Sequence, residues 1–497
     1  MAVGRAESGG EWRAGKSPGL VKHGGRRLGL DLAQDCVGPG YFSWMPLGGT
    51  PYSPEYAFVF CMTDTLAPAG IDTSDSPHYL RALTDMADRR TVVADAAIYT
   101  DKGIKLVEKG ARIDSRLYDR LVQHKLREPI DRHLSIENPV DVPALLAAGQ
   151  AMSEQEVLPN LLAEALGSAA RLLAPLRSLP LPPSMACKLT VMRDQRPELF
   201  QHSLQMMAVA VFLGIKSGLA ERDCAHLAAA ALLHDLGVLH MDPAWDDPDH
   251  KVVGVQRKHL VAHPITAMLM IRDTQVYPRA VDVAVLEHHE RMDGSGYPRG
   301  LAGADISVLG RILLLAEVVA AFYEKYDDMP AQRLSLVLRL NHRKFPSALV
   351  AHILPLLQEE VARESALMPL GNDASRQIDL LAEAFECWDQ LKTALPPETS
   401  VKALPGSAFV FLDARLLALQ KALLEAGSHP RQQGELMTQL QGDAIGMAEV
   451  ALVGREALWQ LQSIVNASYR RWPQLADRAT PADAAVADWC DWAVRKL

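Results

Sequence analysis

Apolar positions recur at helical spacing over most of the chain after Pro143, and this pattern predicts a mainly α protein. Ser153–Leu173 is predicted to form one long helix with a break or kink near Pro159. The segment "APLRSLPLPPS" (Ala174–Ser184) follows, and its four prolines predict a stiff linker. Helical patterns then continue to the end of the chain, interrupted by a proline-containing stretch at residues 395–406.

The pattern before Pro143 differs, because short apolar runs rich in β-branched and aromatic residues alternate with turns. "YAFVF" (Tyr56–Phe60) and "TVVADAAIY" (Thr91–Tyr99) have the composition of strands. The turn "DKG" then predicts a hairpin to "IKLVEKG". A helix capped by Asp114 or Ser115 follows. We therefore expect a small α/β module ahead of the helical region.

These patterns divide the chain into five predicted parts. They are a flexible tail (1–40), a small α/β N-terminal module (41–142), a helix with a Pro-rich linker (143–189), an all-helical domain (190–355) and a C-terminal helical region (356–497). The tail is rich in Gly, Arg and Lys and has no periodicity. The tryptophans of the C-terminal region are interpreted as packing anchors.

Composition narrows the class of protein. A net charge of −9 argues against binding of nucleic-acid polymers through overall charge. The six cysteines are scattered without a C-x-x-C pair, which indicates reduced thiols and neither a disulfide framework nor a zinc ribbon. Neither a signal peptide nor an apolar run long enough to span a membrane is visible, so we expect a cytoplasmic protein.

Histidines are concentrated in the predicted helical domain, where nine of sixteen fall in less than a fifth of the chain. Glu198 and His202 are four residues apart on a predicted helix and so project from one face. The apolar segment "CAHLAAAALLHDLG" ends in His234 and Asp235. Such a pair is costly there unless it is ion-paired or binds metal. The alternative is an ion-paired helix end closed by Gly237.

Further imidazoles and one carboxylate extend this set. His263 lies in "VAHP", and the adjacent His288 and His289 open the Gly-rich stretch "HHERMDGSGYPRGLAG". Glu317 interrupts the apolar helix "GRILLLAEVVAAF" and needs a cation partner there. An ion pair with Arg311 is the alternative for this glutamate, although a six-residue separation does not put both side chains on one helical face.

Together these eight groups predict a metal centre. Imidazole nitrogens with carboxylate oxygens suit Fe, Mn, Zn, Co or Ni. Eight groups exceed what one tetrahedral ion uses, so two or three divalent ions are expected, with Asp235 as the candidate bridge. Such a centre is suited to phosphoester hydrolysis, because one ion activates water and the pair offsets charge in the transition state.

Residues from about 190 to 350 resemble HD-GYP domains, a branch of the HD metal-dependent phosphohydrolases, in the order and spacing of these motifs. The matching segments are "ELFQHS", "LLHDLG", "VAHP", "EHHERMDGSGYPRGLAGADI" and "GRILLLAEVVAAF". The resemblance implies hydrolysis of cyclic di-GMP to its linear dinucleotide or to GMP, with His234 and Asp235 as catalytic pair and Fe or Mn as the expected metal. The family's ligands fall on Glu198, His202, His234, Asp235, His263, His288 and His289. Glu198 favours the three-metal variant of the family.

The resemblance also covers the loop after the two adjacent histidines. The residues implied to shape the loop beside the site are Asp293, Gly294, Gly296, Tyr297 and Pro298. In the family the Gly-Tyr-Pro triplet is linked to contacts with protein partners, so a signalling partner is an expectation. Homodimerisation is a further, open expectation.

Three departures from the family bear on activity. Val238 stands where the family has a lysine that would hold a substrate phosphate, and losing one such contact costs about 2–4 kcal/mol of transition-state stabilisation. Glu317 stands at the position of an aspartate. The Arg-Pro-Tyr motif is absent, and Lys325, the substitute in that region, cannot make the bidentate contact of an arginine.

Three functions are therefore consistent with the sequence. The retained ligands favour a metal-dependent phosphodiesterase acting on a cyclic dinucleotide. Val238 and the missing arginine favour a domain that binds metal or nucleotide and signals through protein contacts. A phosphohydrolase for another nucleotide phosphate is the third, and a substrate panel distinguishes it from the first.

Overall fold

The structure is a computed structural model that describes residues 75–246, 255–326, 330–365, 373–396, 407–425, 429–432 and 444–497. Within these ranges it is predominantly helical, so the mainly α prediction is confirmed. The predicted tail (1–40) and the predicted strand Tyr56–Phe60 lie outside the described residues.

The first described part combines helices with short strands. In chain order its elements are α1 (Pro77–Arg89), β1 (Val92–Ala94), β2 (Ile98–Tyr99), β3 (Lys105–Val107), α2 (Tyr118–Val122) and β4 (Leu134–Ile136). Strand β1 pairs antiparallel with β4, while β2 pairs antiparallel with β3.

The predicted hairpin is confirmed, and Gly103 adopts a φ of 80° in its turn. The prediction of one strand over Thr91–Tyr99 is wrong. The chain turns after Ala94, where the Asp95 N–H donates to the His133 carbonyl, so β1 and β2 join different partners. Asp114 is the helix cap, because its side chain accepts the N–H of Arg116.

Helices make up the rest of the described chain. They are α3 (Val142–Gln155), α4 (Val157–Leu166), α5 (Ala169–Leu173), α6 (Pro183–Gln195), α7 (Pro197–Lys216), α8 (Glu221–Leu233), α9 (Val255–Val261), α10 (His263–Asp273), α11 (Arg279–Glu287), α12 (Val308–Lys325), α13 (Pro330–Leu340), α14 (Ser347–Ser365), α15 (Asp373–Ala394), α16 (Ala408–Glu425), α17 (Ala444–Arg471) and α18 (Pro481–Lys496).

The predicted long helix Ser153–Leu173 is wrong, because α3, α4 and α5 divide this region. The break predicted near Pro159 is present three residues earlier, at Glu156, whose backbone is extended. The second is at Gly167, which adopts the left-handed conformation (φ 78°) that glycine favours, and the chain bends by 100° there. Pro159 causes no kink, since it lies in the first turn of α4, where proline is tolerated.

A single hydrophobic core runs through the N-terminal strands and the helices from Tyr79 to Leu357. Leu176 and Leu179, in the segment predicted as a linker, are buried in it, so this segment is packed. The domain boundaries given above stay predictions. Helix α7 crosses the core between α8 and α12. It is long and apolar enough to span a membrane, but 83% of its apolar window is buried inside the protein.

The C-terminal helices α15 to α18 enclose a second core. Trp388 and Trp489 are buried in it, as expected for packing anchors. Trp459 of α17 instead packs against the first core, and the Lys325 ammonium lies 6.0 Å from the centroid of its ring. The last residue of α12 therefore contacts the C-terminal helices.

We predict that the stability of the protein depends on pH through Glu456, which lies where α12 contacts the C-terminal helices. Burial raises the pKa of its carboxyl from 4.5 to about 7, although Lys325 and Arg333 lower it. The folded protein therefore holds an extra proton between the two values, and stability is lost as pH rises through about 7. We expect Glu456→Gln to equal the wild type at about pH 4 and to exceed it at about pH 8 by on the order of 2–3 kcal/mol.

Chemical denaturation of both proteins at the two pH values measures this difference. The difference in free energy of unfolding between the two proteins cancels the contribution of the other titrating groups. Glu383→Gln on α15 is the control for loss of a surface carboxylate. A difference between wild type and Glu456→Gln that does not change with pH would contradict the prediction.

Candidate metal centre

The centre begins where the Ala/Leu-rich helix α8 ends. His234 follows the last helical residue, and after Asp235 the chain forms a tight helical turn over Leu236–His240. Gly237 packs directly on the start of α10, because a Cβ at this position would lie 2.3 Å from the carbonyl oxygen of His263. This close approach brings His263 Nε2 to 3.1 Å from Asp235 Oδ1.

The first group of candidate ligands consists of Asp235, His263, His288 and His289. All four are buried, and their candidate ligand atoms lie within 4.8 Å of one another. The Nε2 atoms of His263 and His288 are 3.2 Å apart. The adjacent histidines are placed at the end of α11, where His288 follows the last helical residue.

The second group consists of His202, His234 and Glu317, which are also buried. Glu317 Oε2 lies 3.1 Å from His202 Nε2 and 3.5 Å from His234 Nε2. Asp235 stands between the groups, since its Oδ2 is 3.2 Å from His234 Nε2 while its Oδ1 faces the first group. The structure thus brings together seven of the eight groups expected from the sequence, with Asp235 in the bridging position.

Hydrogen bonds fix the ring orientation of three of these histidines. Each Nδ1 lies close to the backbone carbonyl three residues earlier, with His234 at 2.7 Å from Ala231, His263 at 2.6 Å from Leu260 and His288 at 2.6 Å from Val285. Because a carbonyl oxygen only accepts, Nδ1 carries the proton in each case. The Nε2 lone pair of the neutral ring therefore points to the centre, as a metal ligand requires.

Electrostatics keep most of the ligands in the state that binds metal. Burial, with the nearby charges of other histidines, lowers the pKa of His288 to about 3 and that of His289 well below its usual range. Burial opposes ionisation of Asp235 and Glu317, but the surrounding histidines hold both pKa values well below normal. Two ligands differ, because the pKa of His234 is raised to about 9 against burial by Asp235, and that of His202 is raised well above its usual range against burial by Glu324 and Glu317. Both histidines must therefore lose a proton on metal binding.

These residues fit divalent cations. Within the described chain, His234 Nε2, His289 Nε2 and both carboxylate oxygens of Asp235 are buried without a hydrogen-bond partner of suitable geometry, which is costly. The 3.2 Å between His263 Nε2 and His288 Nε2 also suits two nitrogens sharing one ion, since metal–nitrogen bonds of about 2.0–2.1 Å at near-tetrahedral angles give a similar separation.

Comparison with known proteins agrees with this geometry. Residues 189–338 match the HD domain family model. This part of the chain is therefore similar to HD domains. The candidate ligands described above all lie within the matched residues.

Several curated proteins are similar to part of the chain, including two cyclic di-GMP phosphodiesterases. The one from Pseudomonas aeruginosa is 35% identical over 24% of this chain and 30% of its own length. The one from Borreliella burgdorferi is 28% identical over 27% of this chain and 37% of its length. A 3'3'-cGAMP-specific phosphodiesterase of Vibrio cholerae is 28% identical over 27% of each chain.

The aligned part thus spans about a third of these relatives. A solved structure, an HDG"Y"P protein from Bdellovibrio bacteriovorus, covers 54% of this chain and 95% of its own. Its identity to this chain is 16% and the TM-score is 0.30.

Two residues expected in the HD site lie elsewhere. Glu198 is exposed in the first turn of α7 and belongs to neither ligand group. An acidic side chain there interacts favourably with the positive end of the helix dipole and needs no metal. Lys325 lies over the rings of Tyr326 and Trp459, so its expected role in binding substrate is not supported.

The loop after the adjacent histidines is attached to the HD domain by two glutamates that the sequence analysis did not single out. The Glu290 carboxylate accepts the N–H groups of Arg299 at 2.8 Å and Leu301 at 2.9 Å. Glu287 accepts the N–H of Ser307 and pairs with the Arg299 guanidinium at 2.5 Å. Their position on either side of the two histidines was the available signal.

The five predicted loop residues form a tight structure above the site. Asp293 is exposed and accepts from Ser295, and Gly294 adopts a φ of 74°. A Cβ on Gly296 would lie 2.4 Å from the backbone of Glu290 and Arg291, so only glycine fits. Tyr297 precedes Pro298 in a cis peptide bond, and its ring centroid is 4.6 Å from that of His289.

Sequence reasoning also missed Glu324 of α12. Its carboxylate oxygens lie 3.1 and 3.0 Å from His202 Nδ1. The available signal was its spacing, since Glu324 comes two helical turns after Glu317 and so projects from the same face of the helix.

Proposed function

We propose that this protein is a metal-dependent phosphodiesterase that hydrolyses a cyclic dinucleotide, with cyclic di-GMP as the first candidate substrate and a linear dinucleotide or GMP as product. The observation that carries this proposal is the pair of buried ligand groups joined by Asp235. Two such groups suit two divalent ions, with Fe or Mn preferred over Zn, Co or Ni. A third ion is not supported, because Glu198, its expected ligand, is exposed and belongs to neither group.

Bound ions would activate a water and offset the charge that develops on the phosphate. The residues of the chain orient the ligand atoms and supply negative charge to the site. The backbone carbonyls of α8 and α11 hold the Nδ1–H groups of His234 and His288, which leaves their Nε2 atoms oriented inward without further rearrangement. Asp235 and Glu317 are ionised at neutral pH and supply negative charge to the site. Tyr297 and the loop cover the His289 side.

Anaerobic purification followed by metal analysis and hydrolysis assays tests the proposal. We expect two or more Mn or Fe ions per chain, and metal-dependent conversion of cyclic di-GMP to a linear product. A parallel assay with 3'3'-cGAMP and with other nucleotide phosphates defines the substrate. Removal of metal by a chelator should abolish turnover and readdition should restore it. Turnover that persists after complete metal removal would contradict the proposal.

A second candidate function is binding without turnover, in which the domain signals through protein contacts. The positions of the residues available to contact a substrate phosphate favour binding without turnover. Lys325 faces Trp459 and Arg299 is paired with Glu287, so neither cation points to a substrate phosphate. Val238, at the position of the family's lysine, is uncharged and buried in the core. Bound metal and calorimetrically detected cyclic di-GMP without product over hours would favour this function over hydrolysis.

Cytoplasmic location and a signalling partner also belong to this proposal. The four described cysteines, Cys187, Cys224, Cys387 and Cys490, are free thiols, which supports a reducing compartment. Asp293 at the tip of the loop is exposed, which supports a role of the loop in contacting a protein partner. Homodimerisation stays a prediction.

A further inference from the structure

His202 is oriented differently from the neighbouring histidines. The Nδ1 atoms of His234, His263 and His288 are close to backbone carbonyls one turn earlier in the chain. His202 lies within α7, and its Nδ1 contacts both carboxylate oxygens of Glu324 on α12. Its ring orientation therefore depends on a side chain from another helix.

The two ring nitrogens of His202 face two different carboxylates. On one side Nε2 lies 3.1 Å from Glu317 Oε2, inside the second ligand group. On the other side Nδ1 lies 3.0 Å from Glu324 Oε2. The side chain of Glu324 is 29% exposed, while that of Glu317 is 1% exposed, so Glu324 is the outer carboxylate of this row.

A carboxylate that accepts Nδ1–H does two things to a metal-binding imidazole. It selects the tautomer whose Nε2 has a lone pair, and its negative charge makes that nitrogen a better donor. A backbone carbonyl does the first of these and contributes much less to the second, because it is neutral. Glu324 thus supports the second ligand group through a charge-assisted hydrogen bond to His202. Among the contacts described, no carboxylate supports a histidine of the first group in this way.

We infer that Glu324 is a positioning residue that holds His202 for metal binding, whereas Glu198, which the sequence predicts as a metal ligand, lies outside both ligand groups. The inference rests on the proposed metal-dependent function. Both glutamates stand at helical spacing from a ligand, Glu198 four residues before His202 and Glu324 seven residues after Glu317. Only Glu324 has its carboxylate at the imidazole; Glu198 is exposed.

Metal binding by the full-length protein tests the inference without relying on catalysis. Metal-free wild type, Glu324→Gln, Glu324→Ala and Glu198→Gln are titrated with Mn²⁺ by calorimetry, and each is analysed for metal content after dialysis. We expect affinity for the weaker-bound ion to fall about tenfold in Glu324→Gln, which keeps an acceptor for Nδ1–H, and closer to about 100-fold in Glu324→Ala. Glu198→Gln should bind as the wild type does.

Two further measurements separate positioning from a general structural role. The melting temperature of metal-free Glu324→Gln should stay near that of the wild type, because the amide oxygen keeps an acceptor for the Nδ1–H of His202. The visible spectrum of the Co²⁺-loaded protein should change in Glu324→Gln, since it reports ligand geometry. Glu383→Gln on α15, which loses a surface ion pair with Lys496, is the matched control.

The outcomes distinguish this inference from the proposed function. If the wild type binds two ions and both Glu324 variants bind them equally well, the inference is overturned and the proposed function stands. If Glu198→Gln weakens binding and Glu324→Gln does not, Glu198 is the supporting carboxylate and the inference is again overturned. If the wild type binds metal and Glu324→Gln weakens it but no substrate is hydrolysed, the inference stands and the proposed activity fails. A wild type that binds no metal overturns both.

Discussion

Replacing His234 and Asp235 together by alanine is expected to lower cyclic dinucleotide hydrolysis by about three orders of magnitude or more, which corresponds to about 4 kcal/mol of transition-state stabilisation. The reason lies in the geometry around Asp235. Its two carboxylate oxygens face different ligand groups, so the double substitution removes one ligand from the second group and the link between both. Initial rates with added Mn or Fe, measured beside metal content, check the expectation.

A matched control for this double variant lies on the same helix. His226 and Asp223 of α8 form another histidine–aspartate pair, with Nδ1 and Oδ1 3.6 Å apart, but both side chains reach the surface. Replacing these two residues by alanine should leave turnover and metal content at wild-type levels. Undiminished hydrolysis in the His234 and Asp235 double variant would show that the metal centre proposed here is not where the reaction occurs.

Gly237→Ala is expected to have the second-largest effect, although it changes no candidate ligand. The added methyl group would meet the His263 carbonyl oxygen at 2.3 Å, and a backbone atom cannot rotate away as a side chain can. Either the turn Leu236–His240 or the start of α10 must move, and His263 then loses its position beside Asp235. We expect about 1–3 kcal/mol of destabilisation, and about 100-fold less turnover from the displaced ligand.

Thermal unfolding, metal content and initial rates of this variant check the expectation. Gly218→Ala is the control for loss of a glycine, because a Cβ there meets open space, although its φ of 74° makes the substitution cost about 1–2 kcal/mol. The control should therefore lose stability without losing metal. Wild-type metal binding and turnover in Gly237→Ala would mean that the close packing of the turn on α10 is not needed for the site.

Most of the candidate ligands could be identified from the sequence because they are polar residues in apolar helices. His234, Asp235 and Glu317 are costly where they stand unless they have partners, and that cost is visible without a structure. Which partners they find is set by helix packing. Spacing alone did not show that the Glu324 carboxylate reaches His202 while Glu198 lies outside both ligand groups, because this depends on the packing of α7 on α12.

Local breaks account for the other errors. Pro159 indicated the first break, which lies three residues earlier at Glu156, and the proline itself stands in the first turn of α4. Gly167 was also a visible helix end, but the prediction of one helix to Leu173 continued past it. The division of Thr91–Tyr99 into two strands depends on the separate partners β4 and β3, which come later in the chain. Such long-range pairing has no local signal.

The loop that bears Tyr297 is fastened to the domain through main-chain atoms. Glu290 and Glu287 accept the backbone N–H groups of Arg299, Leu301 and Ser307. Every residue except proline carries that N–H, so the side chains of Leu301 and Ser307 can change without loosening the attachment, whereas Arg299 also pairs with Glu287 through its guanidinium. Related chains could therefore remodel the outer surface of this loop to recognise different molecules, while the two glutamates keep the covering over the histidines in place.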